Sequence, residues 1–148
     1  MDFTNKVAIS TGAASGMGLL FAQEFAKLGG NVVLCDVNEE KIKEVAIEIN
    51  SHNKGKAIAI YCDVRKYEQV TNVIDVAVKK FGRIDIVCNF AGGTAVRMQK
   101  VDREKYKEFP DVPIEVFDWG IRCQLKRTIL FCTCSYETNE KTKYRINN

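Results

Sequence analysis

Short apolar runs alternate with segments of helical apolar spacing through most of the chain, and this alternation limits the chain to one class of fold. The runs cover residues 7–9, 32–35 and 57–62, and residues 84–88, which are apolar apart from Asp85, predict a fourth strand. Continuous apolar runs of this length are typical of strands that are covered on both faces. Alternating strands and helices with short connections require parallel pairing and right-handed crossovers. The sequence therefore predicts an α/β fold with a doubly wound parallel sheet of the Rossmann type.

Amphipathic helices are predicted between these strands. The first spans residues 19–28, and Asn38 is placed to cap the second. In the second helix, apolar residues recur at i, i+3, i+4 and i+7, as Ile42, Val45, Ala46 and Ile49. The third ends at Gly82, a glycine that suits a helix C-terminus. Residues 94–113 contain both prolines of the chain and predict a long irregular connection, after which residues 114–121 predict the opening of a further helix.

Composition narrows the classes of protein to consider. The 148 residues are 46% hydrophobic and 28% charged, which predicts one globular domain with a real core. Because no apolar run reaches the roughly 18 residues of a spanning helix and the start lacks signal-peptide features, we expect a cytoplasmic protein without a membrane partner. Six cysteines without secretory features predict reduced thiols. A net charge of +3 is too small to imply a nucleic-acid partner.

A glycine-rich turn, T-G-A-A-S-G-M-G at residues 11–18, follows the first predicted strand and opens the first predicted helix. Such a turn lets backbone N–H groups approach a pyrophosphate, while the helix N-terminus supplies partial positive charge. The nucleotide-binding residues predicted here are Thr11, Gly12, Ser15, Gly16, Met17 and Gly18. Glycine spacing alone is a weak signal, and the alternative is a tight turn that binds nothing.

The second predicted strand ends at Asp36, where a carboxylate could accept hydrogen bonds from a ribose diol. The alternative for Asp36 is a solvated carboxylate at a strand end. A 2′-phosphate at this position would meet like charge, and the next residue is Val37 rather than an arginine that could pair with it. We therefore predict that Asp36 and Val37 favour NAD over NADP.

Three motifs in order resemble the classical short-chain dehydrogenases/reductases. The turn at residues 11–18 matches the family's T-G-x-x-x-G-x-G, C-D-V at residues 62–64 matches a strand end that contacts adenine, and N-F-A-G at residues 89–92 resembles N-N-A-G. The resemblance implies that the Asp63 side chain and the Val64 backbone hold the adenine. It also implies cofactor contacts by Asn89, Ala91 and Gly92. The alternative is plain packing at strand ends, and Phe90 departs from the family's second asparagine.

The resemblance implies an oxidoreductase that moves a hydride between NAD and an alcohol or ketone, as a homo-oligomer when intact. The family uses a serine and a Tyr-x-x-x-Lys, in which the tyrosine is the general acid/base and the lysine lowers its pKa. None of the five tyrosines is followed four residues later by lysine. We therefore predict no catalytic residues, a sheet incomplete at its C-terminal end, and no turnover by the chain as written. The alternative is a non-enzymatic NAD-binding or interaction module.

Residues 122–148 depart from the family's pattern and predict a boundary between an NAD-binding domain, residues 1–121, and an atypical tail. Codons for residues 122–131 can be chosen so that a shift of one base gives Asp-Val-Asn-Leu-Lys-Gly-Pro-Phe-Tyr-Phe, which fits the family's helix. The hypothesis is that the tail is out of frame and poorly ordered. The alternative is that the match to the family's helix is a coincidence, which the degeneracy of the genetic code allows. Cys132 and Cys134 lack a second ligand pair, so no metal is predicted.

Overall fold

Strands and helices alternate along the chain as the sequence predicts. The computed structural model describes residues 1–92, 113–121 and residue 131. The elements are β1 (Val7–Thr11), α1 (Gly16–Lys27), β2 (Asn31–Asp36), α2 (Glu39–His52), β3 (Ala57–Tyr61), α3 (Tyr67–Phe81), β4 (Ile86–Asn89) and α4 (Ile114–Ile121). The caps follow the predicted chemistry, because the Asn38 side chain accepts a hydrogen bond from the Lys41 N–H and Gly82 ends α3 in the left-handed conformation.

The four strands form one parallel sheet in the order β3-β2-β1-β4. β1 lies at the centre and pairs with β2 on one side and β4 on the other. The chain therefore moves outward from β1 to β3 and then returns across the sheet to β4. This reversal creates a topological switch point at the carboxyl ends of β1 and β4, which is where open α/β sheets bind ligands. The predicted doubly wound fold is confirmed.

The core lies on both faces of the sheet, which explains why the strands read as unbroken apolar runs. Ala8 and its alternate neighbours pack with α1 and α2 on one face, whereas Ile9 packs with α3 on the other. The side chains of β1 and the central ones of β2 are buried whichever way they point, whereas those of β3 and β4 are mostly half-buried. Phe131 is fully buried in the cluster on the α3 face. Within the described part of the chain, no helix combines the length and the apolar character needed to cross a membrane.

Several predicted boundaries shift by one to three residues, and the largest shift is at α1, which begins at Gly16 rather than at residue 19. β3 ends at Tyr61, and β4 begins at Ile86 rather than at residue 84. Asp85 stays outside β4 because it caps the start of β1: its Oδ2 accepts a hydrogen bond from the Val7 N–H at 2.9 Å, and its own N–H donates to the Val7 carbonyl at 2.9 Å. The predicted helix at residues 114–121 is α4. The connection at residues 94–112 lies outside the described residues, as does the predicted tail apart from Phe131, so its ordering stays a prediction.

Candidate functional site at the carboxyl edge of the sheet

A cleft of about 550 Å³ opens at the switch point. Its lining consists of the glycine turn and the segments that follow β2, β3 and β4, namely Gly12, Ser15, Gly16, Met17, Gly18, Asp36, Val37, Cys62, Asp63, Val64, Arg65, Phe90, Ala91 and Gly92. Every residue that the sequence predicts for the site lines this cleft except Thr11 and Asn89. Four separate segments thus converge because parallel strands bring their carboxyl ends to one edge.

The glycine turn packs too closely against its surroundings to accept side chains at two positions. Gly12 has a φ of +68°, and a Cβ there would lie 2.9 Å from the backbone N and Cα of Ala91. A Cβ on Gly18 would overlap the Gly12 carbonyl group. The buried Ser10 hydroxyl donates to the Gly18 carbonyl at 2.9 Å and fixes the first turn of α1 to β1. Backbone replaces side chains here, which leaves room for a ligand to approach the main chain.

The N-terminus of α1 faces this cleft with uncapped amide groups. Ser15 is the N-cap residue, and its side chain makes no capping hydrogen bond. The first N–H groups of a helix have no intrahelical acceptor and carry partial positive charge. Since Gly16, Met17 and Gly18 all line the cleft, this end of α1 can donate hydrogen bonds to an anionic group.

Asp36 is held rigidly at the end of β2. Its Oδ2 accepts a hydrogen bond from the Ala14 N–H at 3.1 Å, and its Oδ1 accepts one from the Asn38 N–H at 2.9 Å. The first of these bonds ties the carboxylate to the glycine turn, 22 positions away in sequence. Val37, beside it, is half exposed and carries no charge. The arrangement places one fixed negative charge in the cleft, with acceptor capacity left for a ligand's hydroxyl groups.

Asp63 forms a bidentate ion pair with Arg65. The Arg65 Nε donates to Oδ1 at 2.8 Å and Nη2 donates to Oδ2 at 2.6 Å, while the Arg65 backbone N–H also donates to Oδ1 at 3.1 Å. These hydrogen bonds outweigh burial and hold the pKa of Asp63 below its ordinary value. Arg65 is one of three lining residues, with Cys62 and Phe90, that the sequence did not predict for the site. The available signal was an opposite charge two positions after Asp63 in the segment C-D-V-R.

Thr11 and Asn89 lie beneath the cleft rather than on its surface. They are register partners in the β1–β4 pair. The fully buried Thr11 hydroxyl accepts a hydrogen bond from the Ala91 N–H at 3.0 Å and donates to the Cys88 carbonyl at 3.4 Å. The buried Asn89 Oδ1 accepts no hydrogen bond from any residue in the described ranges. Thr11 therefore joins the ends of β1 and β4 and holds Ala91 against Gly12.

The cysteines near the cleft are unsuited to nucleophilic chemistry. Burial, together with the neighbouring Asp63 charge, raises the pKa of Cys62 to about 12. Burial also raises the pKa of Cys35 well above its ordinary value. Both thiols therefore stay protonated at neutral pH. Among residues 1–92, 113–121 and 131, no cluster of three or more histidine, cysteine or acidic side chains could hold a metal, and Cys132 and Cys134 lie outside those ranges.

Comparison with known proteins identifies the family. The sequence profile described as short chain dehydrogenase matches residues 6–126. The chain belongs to the short chain dehydrogenase family. The predicted resemblance is thus confirmed. Members of this family are oxidoreductases that use nicotinamide cofactors and alcohol substrates.

Individual members of the short chain dehydrogenase family are longer than this chain. Tropinone reductase-like 2 from Erythroxylum coca is 40% identical over 103 residues, which make up 68% of this chain and 36% of that protein. The NAD-dependent glycerol dehydrogenase of Listeria innocua is 34% identical over 129 residues, or 87% of this chain and 45% of that protein. The crystal structure of a short-chain type dehydrogenase/reductase from Mycobacterium marinum superposes with a TM-score of 0.77 at 28% identity, covering 90% of this chain and 50% of that one. The chain therefore spans half or less of the length of these relatives.

Proposed function

We propose that this chain binds NAD and forms the cofactor-binding part of an oxidoreductase that transfers a hydride between NAD and an alcohol or ketone. The observation that carries the proposal is the position of Asp36. Its carboxylate is fixed by the Ala14 and Asn38 N–H groups at one end of a cleft whose other wall is the N-terminus of α1. An acceptor for a ribose diol and donors for a pyrophosphate are the two requirements of a dinucleotide.

The residues of the cleft fit such a ligand. Gly12 and Gly18 leave the backbone bare where a Cβ would meet other main-chain atoms. The amide groups of Gly16 and Met17 suit the pyrophosphate, and Asp63 with Val64 suits the base. Bound NAD would supply a nicotinamide ring that accepts or gives up a hydride. The residues described here bind and orient the cofactor.

The preference for NAD over NADP rests on charge. A ribose 2′-phosphate would bring two negative charges to the Asp36 carboxylate, and Val37 offers no cation to offset them. The similarity to the NAD-dependent glycerol dehydrogenase of Listeria innocua supports the same preference. We also propose a cytoplasmic location, no nucleic-acid or membrane partner, and a homo-oligomeric state for the intact family member.

A second candidate function is nucleotide binding without turnover. The observation that favours it is the absence of any Tyr-x-x-x-Lys pair from the 148 residues. The two candidates predict the same binding and differ in activity. Oxidation of glycerol or another alcohol by the 148-residue chain, followed through NADH absorbance, would support catalysis, whereas binding without NADH formation would support the second candidate.

Titration calorimetry with NAD and NADP tests the proposed site. We expect NAD to bind at least about tenfold more tightly than NADP, since one unfavourable charge contact of this kind is worth about 1–2 kcal/mol. Asp36→Asn keeps the acceptor for the Ala14 N–H but removes the charge. It should weaken NAD binding about tenfold, because a hydrogen bond to a charged group contributes about 1.5–3 kcal/mol, and should narrow the gap to NADP.

The matched control is Asp75→Asn, which removes the same charge from an exposed position on α3 outside the cleft lining. Both NAD and NADP affinities should be unchanged in this variant. Equal affinity of the unmodified chain for the two dinucleotides, or an Asp36→Asn variant that binds NAD as before, would contradict the assignment of Asp36 to the ribose.

A further inference from the structure

The Asp63–Arg65 ion pair at the cleft has a role that dinucleotide binding alone does not assign. We propose that Arg65 is a positioning residue that fixes the Asp63 carboxylate so that the cleft selects a 6-aminopurine over a 6-oxopurine. The inference rests on the proposed function, since it concerns the base of the proposed dinucleotide. What it adds is a positioning residue, because the resemblance already implies that Asp63 and Val64 hold the adenine.

The hydrogen bonds of Asp63 leave a defined acceptor position. A carboxylate has about four lone-pair sites, two on each oxygen. Oδ1 accepts from both the Nε and the backbone N–H of Arg65, whereas Oδ2 accepts from Nη2. Because Asp63 lines the cleft, the remaining site on Oδ2 is open to a donor on the ligand. Arg65 thus uses three of the roughly four lone-pair sites of the carboxylate and leaves one for a ligand.

A donor lies next to this acceptor in the chain. The Val64 N–H makes no hydrogen bond to any atom of the described residues, and Val64 lines the same cleft. Asp63 and Val64 together present an acceptor and a donor side by side. A 6-aminopurine offers an N–H donor at the 6-position and an acceptor at N1, which is complementary. A 6-oxopurine offers the reverse, so its oxygen would meet a carboxylate and its N1–H would meet an N–H group.

Arg65 makes this discrimination possible by holding the carboxylate ionised and in one orientation. The Asp63 side chain is only 9% exposed, whereas the Arg65 side chain is 44% exposed and reaches solvent. A carboxylate this deeply buried is costly without its cation. The Arg65 hydrogen bonds keep the pKa of Asp63 below its ordinary value, so the acid form that could donate to a 6-oxo group stays unpopulated. The two hydrogen bonds from Nε and Nη2 of Arg65 also fix the plane of the carboxylate.

The chain contains a matched control for this pair. Arg83 makes the same bidentate contact with Asp85, again two positions apart, and Asp85 also accepts the Val7 N–H at the amino end of β1. That end of the sheet is opposite the cleft. Arg83→Ala therefore removes an equivalent ion pair without touching the site, and separates a loss of stability from a loss of base selection.

The experiment compares NAD with nicotinamide hypoxanthine dinucleotide by titration calorimetry on the full chain, with thermal melts to confirm folding. We expect the unmodified chain to prefer NAD by at least about tenfold, because a base whose polar edge is reversed leaves buried groups unpaired. Arg65→Ala should lower this preference by about fivefold or more. Arg65→Lys, which keeps the charge but not the fork, should give an intermediate preference. Arg83→Ala should leave the ratio within about twofold of the original while lowering the melting temperature.

The possible failures are distinguishable. If the unmodified chain binds neither dinucleotide, the proposed function is wrong and the inference falls with it. If the unmodified chain binds NAD but Arg65→Ala and Arg65→Lys keep the same ratio, only the inference is overturned. Tighter NAD binding by Arg65→Ala would also overturn it, because Arg65 would then compete with the base for Asp63. A change of ratio in Arg83→Ala equal to that in Arg65→Ala would show a general structural effect and would likewise overturn it.

Discussion

The two edges of the sheet carry the same ion pair in different surroundings. At the amino edge, Asp85 pairs with Arg83 and also accepts the Val7 N–H, while Lys6 lies 3.4 Å away. At the carboxyl edge, Asp63 pairs with Arg65 but keeps an acceptor position facing a cleft. An aspartate–arginine pair is therefore structural where the protein itself satisfies it, and becomes a candidate for ligand binding where the protein leaves part of it unused.

The strand order explains why a cleft opens at the carboxyl edge. The chain reverses direction across the sheet between β3 and β4, which places a switch point at the carboxyl ends of β1 and β4. At the amino edge, the Asp85 N–H donates to the Val7 carbonyl and closes the space between the entering segments. Function at the carboxyl edge and stability at the amino edge can be tested separately by substitution.

The largest effect is expected at Gly12. Gly12→Ala places a side chain at a φ of +68° and 2.9 Å from the Ala91 backbone. The strained conformation costs about 1–2 kcal/mol and the enforced backbone shift about 1–3 kcal/mol, so we expect a loss of about 3 kcal/mol in the free energy of unfolding. Dinucleotide binding should be abolished, because the turn must move away from β4. Urea denaturation and calorimetry measure the two effects.

Gly82→Ala is the control for Gly12→Ala. Gly82 also has a positive φ, +80°, but a Cβ there would meet no atom within 4 Å. It should cost about 1 kcal/mol in unfolding free energy from backbone strain alone and leave dinucleotide affinity unchanged. Equal losses of stability in the two variants would show that crowding against Ala91 contributes nothing at the carboxyl edge.

A smaller, pH-dependent effect is expected at the amino edge. Burial by itself raises the pKa of Asp85, but hydrogen bonds from Arg83 and the Val7 N–H outweigh it and hold the pKa below its ordinary value of 3.8. The stabilisation is therefore present above the unfolded pKa and is lost as the pH falls through the lower folded pKa. Asp85→Asn should reduce the unfolding free energy by about 1–3 kcal/mol at pH 7.

The difference between Asp85→Asn and the unmodified chain should shrink toward pH 3 and below, as denaturation at a series of pH values would show. Lys6→Ala is the control on the same edge. The Lys6 side chain is 48% exposed, and its Nζ makes a long contact of 3.4 Å with the Asp85 carboxylate. Lys6→Ala should therefore change the unfolding free energy by less than about 0.5 kcal/mol. A difference for Asp85→Asn that stayed constant with pH would assign its effect to shape rather than charge.

The smallest effect concerns the attachment of α1 to β1. Ser10→Ala removes the buried hydrogen bond to the Gly18 carbonyl and should cost about 1 kcal/mol of unfolding free energy. Ser51→Ala removes a hydrogen bond of similar length, 2.8 Å, to the Ile47 carbonyl on the exposed end of α2 and should be neutral within about 0.5 kcal/mol. Equal values for the two serines would mean that burial adds nothing to the Ser10 bond.

The class of fold and the location of the candidate site can be read from the sequence alone. Unbroken apolar runs indicate strands covered on both faces, and the spacing from Ile42 to Ile49 indicates a helix with one buried face. Both patterns are readable because buried positions are occupied mainly by apolar residues. The glycine turn and Asp36 were also readable, since a strand, a turn and a helix in that order fix where strand ends meet.

The side chains that line the cleft can be told from those that support it only once the segments are placed in three dimensions. Thr11 and Asn89 belong to the predicted motifs, yet they are absent from the cleft lining: they are register partners in the β1–β4 pair, and the Thr11 hydroxyl is bonded to the Ala91 N–H. Arg65 carries no periodic signal, and its pairing with Asp63 depends on the path of an irregular segment after β3. The Thr11 contacts follow from the relative placement of segments distant in sequence, whereas the Arg65 contact follows from the local path of the backbone, and residue periodicity encodes neither.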